Sequence, residues 1–375
     1  MKEINAIENK TGRIYWLDIA RSFAIISVSL NHAMHRGFAD FSGHQYDFAS
    51  ISLSLSIIRS ILAVFSRIGV PFFLMISGVL LLDRDYSTPG TLRRFYRHNW
   101  LGLVITAEIW YAIMFLYMQS SANSILRTQG PLAAMVGFVK NAMFIDQQTF
   151  GSMWYMAMIL LIYTMIPIIS LAVRNLDKIG IIIPAAFVIV IGMLIPNIQE
   201  YLQLRSVEAF QFELRSENLF SIYLLYILAG HYLGKGVLSG LSNAKLVIGS
   251  GITFVLVTGY QLWYFSCGKL GELWYDFLGI LILSIFLFEC VRRFFSNREE
   301  RAWVVRLSQI SFGIYFVHIC LRGTLWRFLR EFIHNPLILT IMLLVLSVLG
   351  SILVIEVLSK NRWARKYLFM IKDGK

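Results

Sequence analysis

The chain has 375 residues, 57% of them hydrophobic and 15% charged, with a formal net charge of +12. A mean hydropathy of +0.65, with fewer charges than the roughly 25% usual in soluble domains, excludes a soluble globular protein. The positive charge does not point to nucleic acid, because in so apolar a chain basic residues gather in the cytoplasmic loops that orient membrane spans.

Residues 1–13 are polar, and no small-residue cleavage site follows the first apolar run. No signal peptide is expected, and the first helix stays as an anchor. Ten runs approach the roughly 20 residues a bilayer crossing needs: 14–34, 57–82, 99–118, 152–173, 179–197, 218–234, 246–265, 273–291, 308–326 and 336–358. Helices satisfy their own backbone polar groups in lipid. The expected fold is therefore all-α, a polytopic bundle of about ten transmembrane helices. With the N-terminus inside, about 22 of the 34 Lys/Arg lie on the cytoplasmic side and about 11 outside, which favours N-in and C-in. Two outer loops are long, 119–151 and 198–217. The first contains GPLAAMVGFVKNAMF (130–144), which reads as an amphipathic helix lying at the interface or re-entering the membrane. There is no repeat, low-complexity tract or linker. Residues 1–375 read as one membrane domain, a bundle over 14–358 with a basic cytoplasmic tail at 359–375 and no appended soluble domain. Cys267, Cys290 and Cys320 have no metal-ligand spacing, so no metal is expected.

The first span, LDIARSFAIISVSLNH (17–32), holds charges that hydrocarbon rejects. Arg21 and His32 are eleven residues apart, so on a helix they share one face about 16 Å apart in height. Asp18, one turn before Arg21, is placed to pair with it. Either Arg21 snorkels to the inner headgroups while His32 sits in the outer interface, or both face a cavity, as intramembrane ionisable groups usually do. A histidine exchanges protons near neutral pH and suits a general base. Arg93, Arg94, Arg97 and His98 fall at the cytoplasmic entrance of the third span. They either enforce topology or bind phosphate, for which the planar guanidinium is suited. Arg94 and Arg97 share one helical face. Ser77 and Gly78 suit a close helix approach. Glu108 and Glu289 either pair with nearby arginines or lie near helix ends, Trp154 and Tyr155 suit an aromatic belt, and His318 beside Tyr315 is open between packing and a site role. His44, His231 and His334 carry no signal.

The LDxxR pattern with a histidine after ten intervening residues resembles the membrane acyltransferase-3 family, which includes carbohydrate O-acetyltransferases. Four further stretches resemble it: SRIGVPFFLMISGVLLL (66–82), the Arg-x-x-Arg of RRFYRHNW (93–100), GSMWYMAMILLIYTMIPII (151–169) and ISFGIYFVH (310–318). Ser22 stands where the family often has glycine, which suggests a divergent branch. The resemblance implies a multi-pass protein of the bacterial inner membrane that moves an acetyl group from cytoplasmic acetyl-CoA to a hydroxyl of a cell-surface or lipid-linked glycan. In that scheme His32 is the base or transient acyl carrier. Arg21, paired with Asp18, orients the thioester or neutralises charge, and Arg93, Arg94 and Arg97 hold the CoA phosphates. The alternative is a transporter or flippase for a lipid-linked sugar, which would often show an internal pseudo-repeat. Donor, glycan acceptor and membrane lipids are the expected partners; acceptor identity and oligomeric state leave no mark in the sequence.

Overall fold

The structure, a computed structural model, describes residues 13–40, 42–119, 124–143, 153–207 and 221–371. Parts of both expected outer loops (120–123, 144–152 and 208–220) and the end of the tail (372–375) lie outside the described residues. Among the described residues every extended regular element is helical: α1 (Tyr15–Gly37), α2 (Leu53–Ser66), α3 (Gly69–Leu81), α4 (Pro89–Gln119), α5 (Pro131–Ala142), α6 (Trp154–Asn175), α7 (Lys178–Leu204), α8 (Ser221–Gly234), α9 (Asn243–Ser266), α10 (Leu278–Phe295), α11 (Ala302–Leu329), α12 (Pro336–Leu358) and α13 (Arg362–Tyr367). Local signals set many of these ends. Ser52 and Ser242 accept hydrogen bonds from Leu55 N and Lys245 N, and Asn335 caps α12 just before Pro336.

Each expected span overlaps a helix, but seven segments among the described residues are long and apolar enough to cross a membrane: α2 with α3, α4, α6, α7, α9, α11 and α12. The other three differ for visible reasons. The α1 helix carries Asp18, Arg21 and Arg36, α8 is described over 14 residues, and α10 ends on Glu289, Arg292 and Arg293. The chain is a multi-pass membrane protein. Its outermost helix, α7, turns Ile179, Ile182, Ile183 and Phe187 outward, as a face in contact with lipid tails would.

The α1 helix is the axis of the bundle, packed against α2, α3, α10, α11 and α12. Its serines bind neighbouring backbones: Ser22 Oγ donates to Val304 O at 3.2 Å, and Ser27 Oγ lies 3.0 Å from the carbonyls of Phe65 and Ser66. The tightest crossing is α3 on α8. A Cβ on Gly78 would strike the Ile227 carbonyl, and one on Gly230 would strike that of Met75. Two glycines facing each other's backbone allow this approach. The run expected at 57–82 is interrupted at Arg67–Ile68, between α2 and α3. That break turns Arg67 into the interior, where it is 5% exposed.

Candidate active site

Helices α1 and α11 run side by side in the same direction, and their polar residues meet at two levels. At the N-terminal level Asp18 is almost fully buried. It takes two hydrogen bonds from Arg13, at 2.6 and 2.9 Å, and one from Ser308 Oγ at 2.6 Å. Arg21 reaches Asp18 at 3.4 Å and donates to Ser308 Oγ at 2.8 Å. The expected Asp18–Arg21 pair is present, but Arg13 is the closer partner. The other N–H groups of Arg21 bond to none of the described residues, and its side chain is 26% exposed.

About 16 Å further along α1, His32 Nδ1 lies 3.0 Å from His318 Nε2 on α11. His318 is fully buried, and its Nδ1 lies 2.6 Å from Ile314 O. A carbonyl oxygen only accepts, so the proton of His318 sits on Nδ1. With both rings neutral, His318 Nε2 must then accept from His32 Nδ1–H, which leaves the lone pair of His32 on Nε2. A hydrogen-bonded third group that fixes the tautomer of a base is the logic of catalytic triads. Arg322 NH1 donates to the His32 carbonyl at 2.9 Å.

His32 lines a cavity of about 440 Å³ with Asn31, His35, Arg36, Arg67, Trp154, Tyr155, Trp274, Tyr275, Tyr315 and Arg322. Residues 21, 28, 32 and 35 form one stripe of α1 at this helical spacing. The loop before α10 closes the cavity. Glu272 Oε2 receives Arg67 at 2.7 Å and His35 at 2.9 Å, and the Arg67 guanidinium lies over Trp274 and Tyr275, 4.7 and 5.3 Å from their ring centroids. Burial opposes the Glu272 charge, but the Arg67 and His35 charges outweigh it and hold the carboxyl down to about 2. Arg59, 1% exposed, donates to Leu270 O and lies over Phe265 at 4.0 Å, tying the same loop to α2.

A larger groove of about 1070 Å³ adjoins this cavity, sharing Trp154 and Trp274 with it. It follows α6 from Trp154 to Thr164, about 15 Å, and reaches Trp100 on α4. Trp100 also borders a shallow groove lined by Arg93, Tyr96 and Arg97. Arg94 is exposed and does not line that groove, so the arginines that meet there are 93 and 97. Beside them the helix makes a π-turn over Tyr96–Trp100, a distortion frequent at functional sites. Tyr96 OH and Trp100 Nε1 hold this turn on α6 through Thr164 O and Leu160 O.

Sequence reasoning left His318 open, and the structure places it directly behind His32. Trp154 and Tyr155, which suit an interface belt, line the cavity as well. Arg59, Arg67 and Arg322 fall within the expected spans 57–82 and 308–326 without being singled out there, and all three point into the bundle. The rule that an ionisable group within a span faces an interior cavity would have found them had it been applied to every arginine in the spans. Glu289 pairs with Arg292 and Arg293 at 2.6 Å, as one of the readings held. Glu108 is half-buried on α4.

The family described as an acyltransferase domain matches this sequence over residues 14–356. No curated protein and no solved structure matches it.

Proposed function

The chain belongs to the acyltransferase-domain family, and from that premise we propose that it moves an acetyl group from cytoplasmic acetyl-CoA to a hydroxyl of a cell-surface or lipid-linked glycan. The observation that carries this reading is the His32–His318 pair, with the His318 proton tied to Ile314 O and His32 lining a ligand-sized cavity.

In this mechanism His32 Nε2 accepts the proton of the acceptor hydroxyl. The bond from that oxygen to the acyl carbon forms as the carbon–sulfur bond of the thioester breaks, and His32 returns the proton to the departing sulfur. His318 holds the tautomer and ring orientation throughout. Arg322, fixed on the His32 carbonyl, borders the same cavity and keeps the end of α1 that carries His32 in place.

Arg93 and Arg97, on either side of Tyr96, offer two planar forks and an aromatic ring for the phosphates and base of the donor. From there the groove past Trp100 to Trp154 offers a covered route of pantetheine-like length to His32. Arg94 sits on the rim of this entrance. Arg21, with Asp18 and Ser308 behind it, is a positioning residue for the α1–α11 pair at the inner level. The topology that goes with this reading has ten spans, both termini in the cytoplasm, and a bacterial inner membrane as its location.

The test is reconstitution of the purified chain in lipid with radiolabelled acetyl-CoA and a candidate glycan acceptor. Label should appear in the glycan as a base-labile ester. Consumption of acetyl-CoA without labelled glycan, across a panel of acceptors, would leave the acceptor half of the reading without support. No consumption at all would remove the reading.

A further inference from the structure

The cavity around His32 contains more positive charge than its own acids balance. Of its four cationic or protonatable side chains besides His32, Arg67 and His35 are satisfied by the single buried carboxylate Glu272. Arg36 and Arg322 have no carboxylate partner among the described residues. Arg322 uses NH1 on the His32 carbonyl, and its Nε is buried without a hydrogen-bond partner among the described residues. The Arg36 guanidinium lies over Trp326 at 4.8 Å, against which Arg330 also lies at 4.2 Å. Its own N–H groups bond to none of the described residues. The cationic charges acting on Arg36 are those of Arg327 and Arg330, and the one acting on Arg322 is that of Arg36, while Tyr117 acts on both in the opposite sense and Cys320 likewise on Arg322. Asp40, the acid nearest to Arg36 in sequence, is taken by Ser42, His44 and the His44 ring.

Two guanidiniums of like charge, one with a buried donor left unmade, are costly unless a counter-charge arrives. We infer that Arg36 and Arg322 form an anion site at the mouth of the His32 cavity and receive a phosphate or carboxylate carried by the acceptor, beside the hydroxyl to be acylated. This rests on the acyl-transfer reading above. The donor's own phosphates do not fit here. With the thioester at His32 they lie a whole pantetheine arm away, whereas Arg322 is hydrogen-bonded to His32 itself. Planar forks suit both anions, and a cavity of about 440 Å³ has room for a sugar with its charged group.

The test reads the cavity directly, through the rate at which diethyl pyrocarbonate modifies His32, followed by mass spectrometry of the His32 peptide. The full chain is held in uncharged phosphatidylcholine nanodiscs. Glucose 1-phosphate, glucuronate and glucose are compared as protectants. At least one of the two anions should slow His32 modification at concentrations where glucose has no effect. Better protection by the phosphate identifies a phosphate-linked acceptor, and better protection by the carboxylate identifies an acidic sugar. Arg36→Gln and Arg322→Gln should each raise the protecting concentration about tenfold or more, as loss of a charged hydrogen bond does, and Arg36→Lys should restore part of it.

Equal protection by glucose, no protection by either anion, or undiminished protection in both Gln variants would overturn the inference. The comparison of anion with glucose in the unmodified chain needs no variant to fold. Acetyl-CoA hydrolysis measured on the same sample separates the two claims. Its absence removes the acyl-transfer reading, while the protection result stands or falls by itself.

Discussion

Glu272→Gln removes the carboxylate that, among the described residues, balances Arg67 and His35 at the wall of the His32 cavity. The size of the effect follows from the structure in two ways. The Glu272 carboxyl is lowered from 4.5 to about 2, which corresponds to about 3 kcal/mol. Removing one partner of a buried ion pair typically costs about 3–5 kcal/mol, because the other charge stays buried. Both routes give a loss of about 3–5 kcal/mol. The group's pKa is depressed on folding, so its contribution is fully present above about pH 4.5 and declines as pH falls toward 2. Arg67, His35 and Arg59 are the charges that face it. Thermal unfolding in nanodiscs, followed by tryptophan fluorescence with Trp274 as a local reporter, should show the Gln variant melting well below the parent near neutral pH. The gap should narrow between pH 4.5 and 2. The paired replacement Glu272→Leu with Arg67→Met should cost less than Glu272→Gln alone, because the buried Arg67 charge is removed together with its partner. A Gln variant that melts with the parent, or a double variant that melts below the single one, would refute this account of the cavity wall.

Three further outcomes are expected. His318→Ala should lower kcat by about 10²–10⁴ with little change in KM, the usual range for a disabled general base, and His318→Gln should recover part, because its amide oxygen can accept from His32 Nδ1–H. Equal loss in both variants would make His318 a packing residue. Arg93→Ala and Arg97→Ala should each raise the KM for acetyl-CoA about ten- to a hundredfold and leave kcat nearly unchanged. Arg94→Ala should do less, and three unchanged values would return these arginines to a topological role. Reporter fusions at Gly130 and Gly374 should report opposite sides of the membrane, and agreement between them would contradict the ten-span topology.

The α1 stripe was legible in the sequence because a spacing of eleven residues returns to nearly the same helical direction, so the shared face of Arg21 and His32 needs no tertiary information. The close approach at Gly78 was legible for a similar local reason. The partners of these residues were not. His32 meets His318 across 286 positions, and Arg67 meets Glu272 across 205. No local periodicity carries such pairings. Arg59, Arg67 and Arg322 lie within expected spans, but nothing local separates an arginine that faces the interior from one that snorkels to the interface. The break at Arg67–Ile68, which turns Arg67 inward, lies inside a run apolar enough to read as one uninterrupted span. Arg94 and Arg97 were grouped by an ideal α-helical face. The π-turn at Tyr96–Trp100 lies at this point, and Arg93 and Arg97 are the pair that share a groove.

The central claim is that His32 Nε2, oriented by His318, moves the proton in acyl transfer. The most direct measurement is the rate of label transfer from acetyl-CoA to a glycan by His32→Ala in lipid, with insertion and thermal stability verified on the same sample. The account predicts a fall of about 10²–10⁴ in a protein that is inserted and stable. Transfer by such a protein at a rate near that of the parent would contradict it.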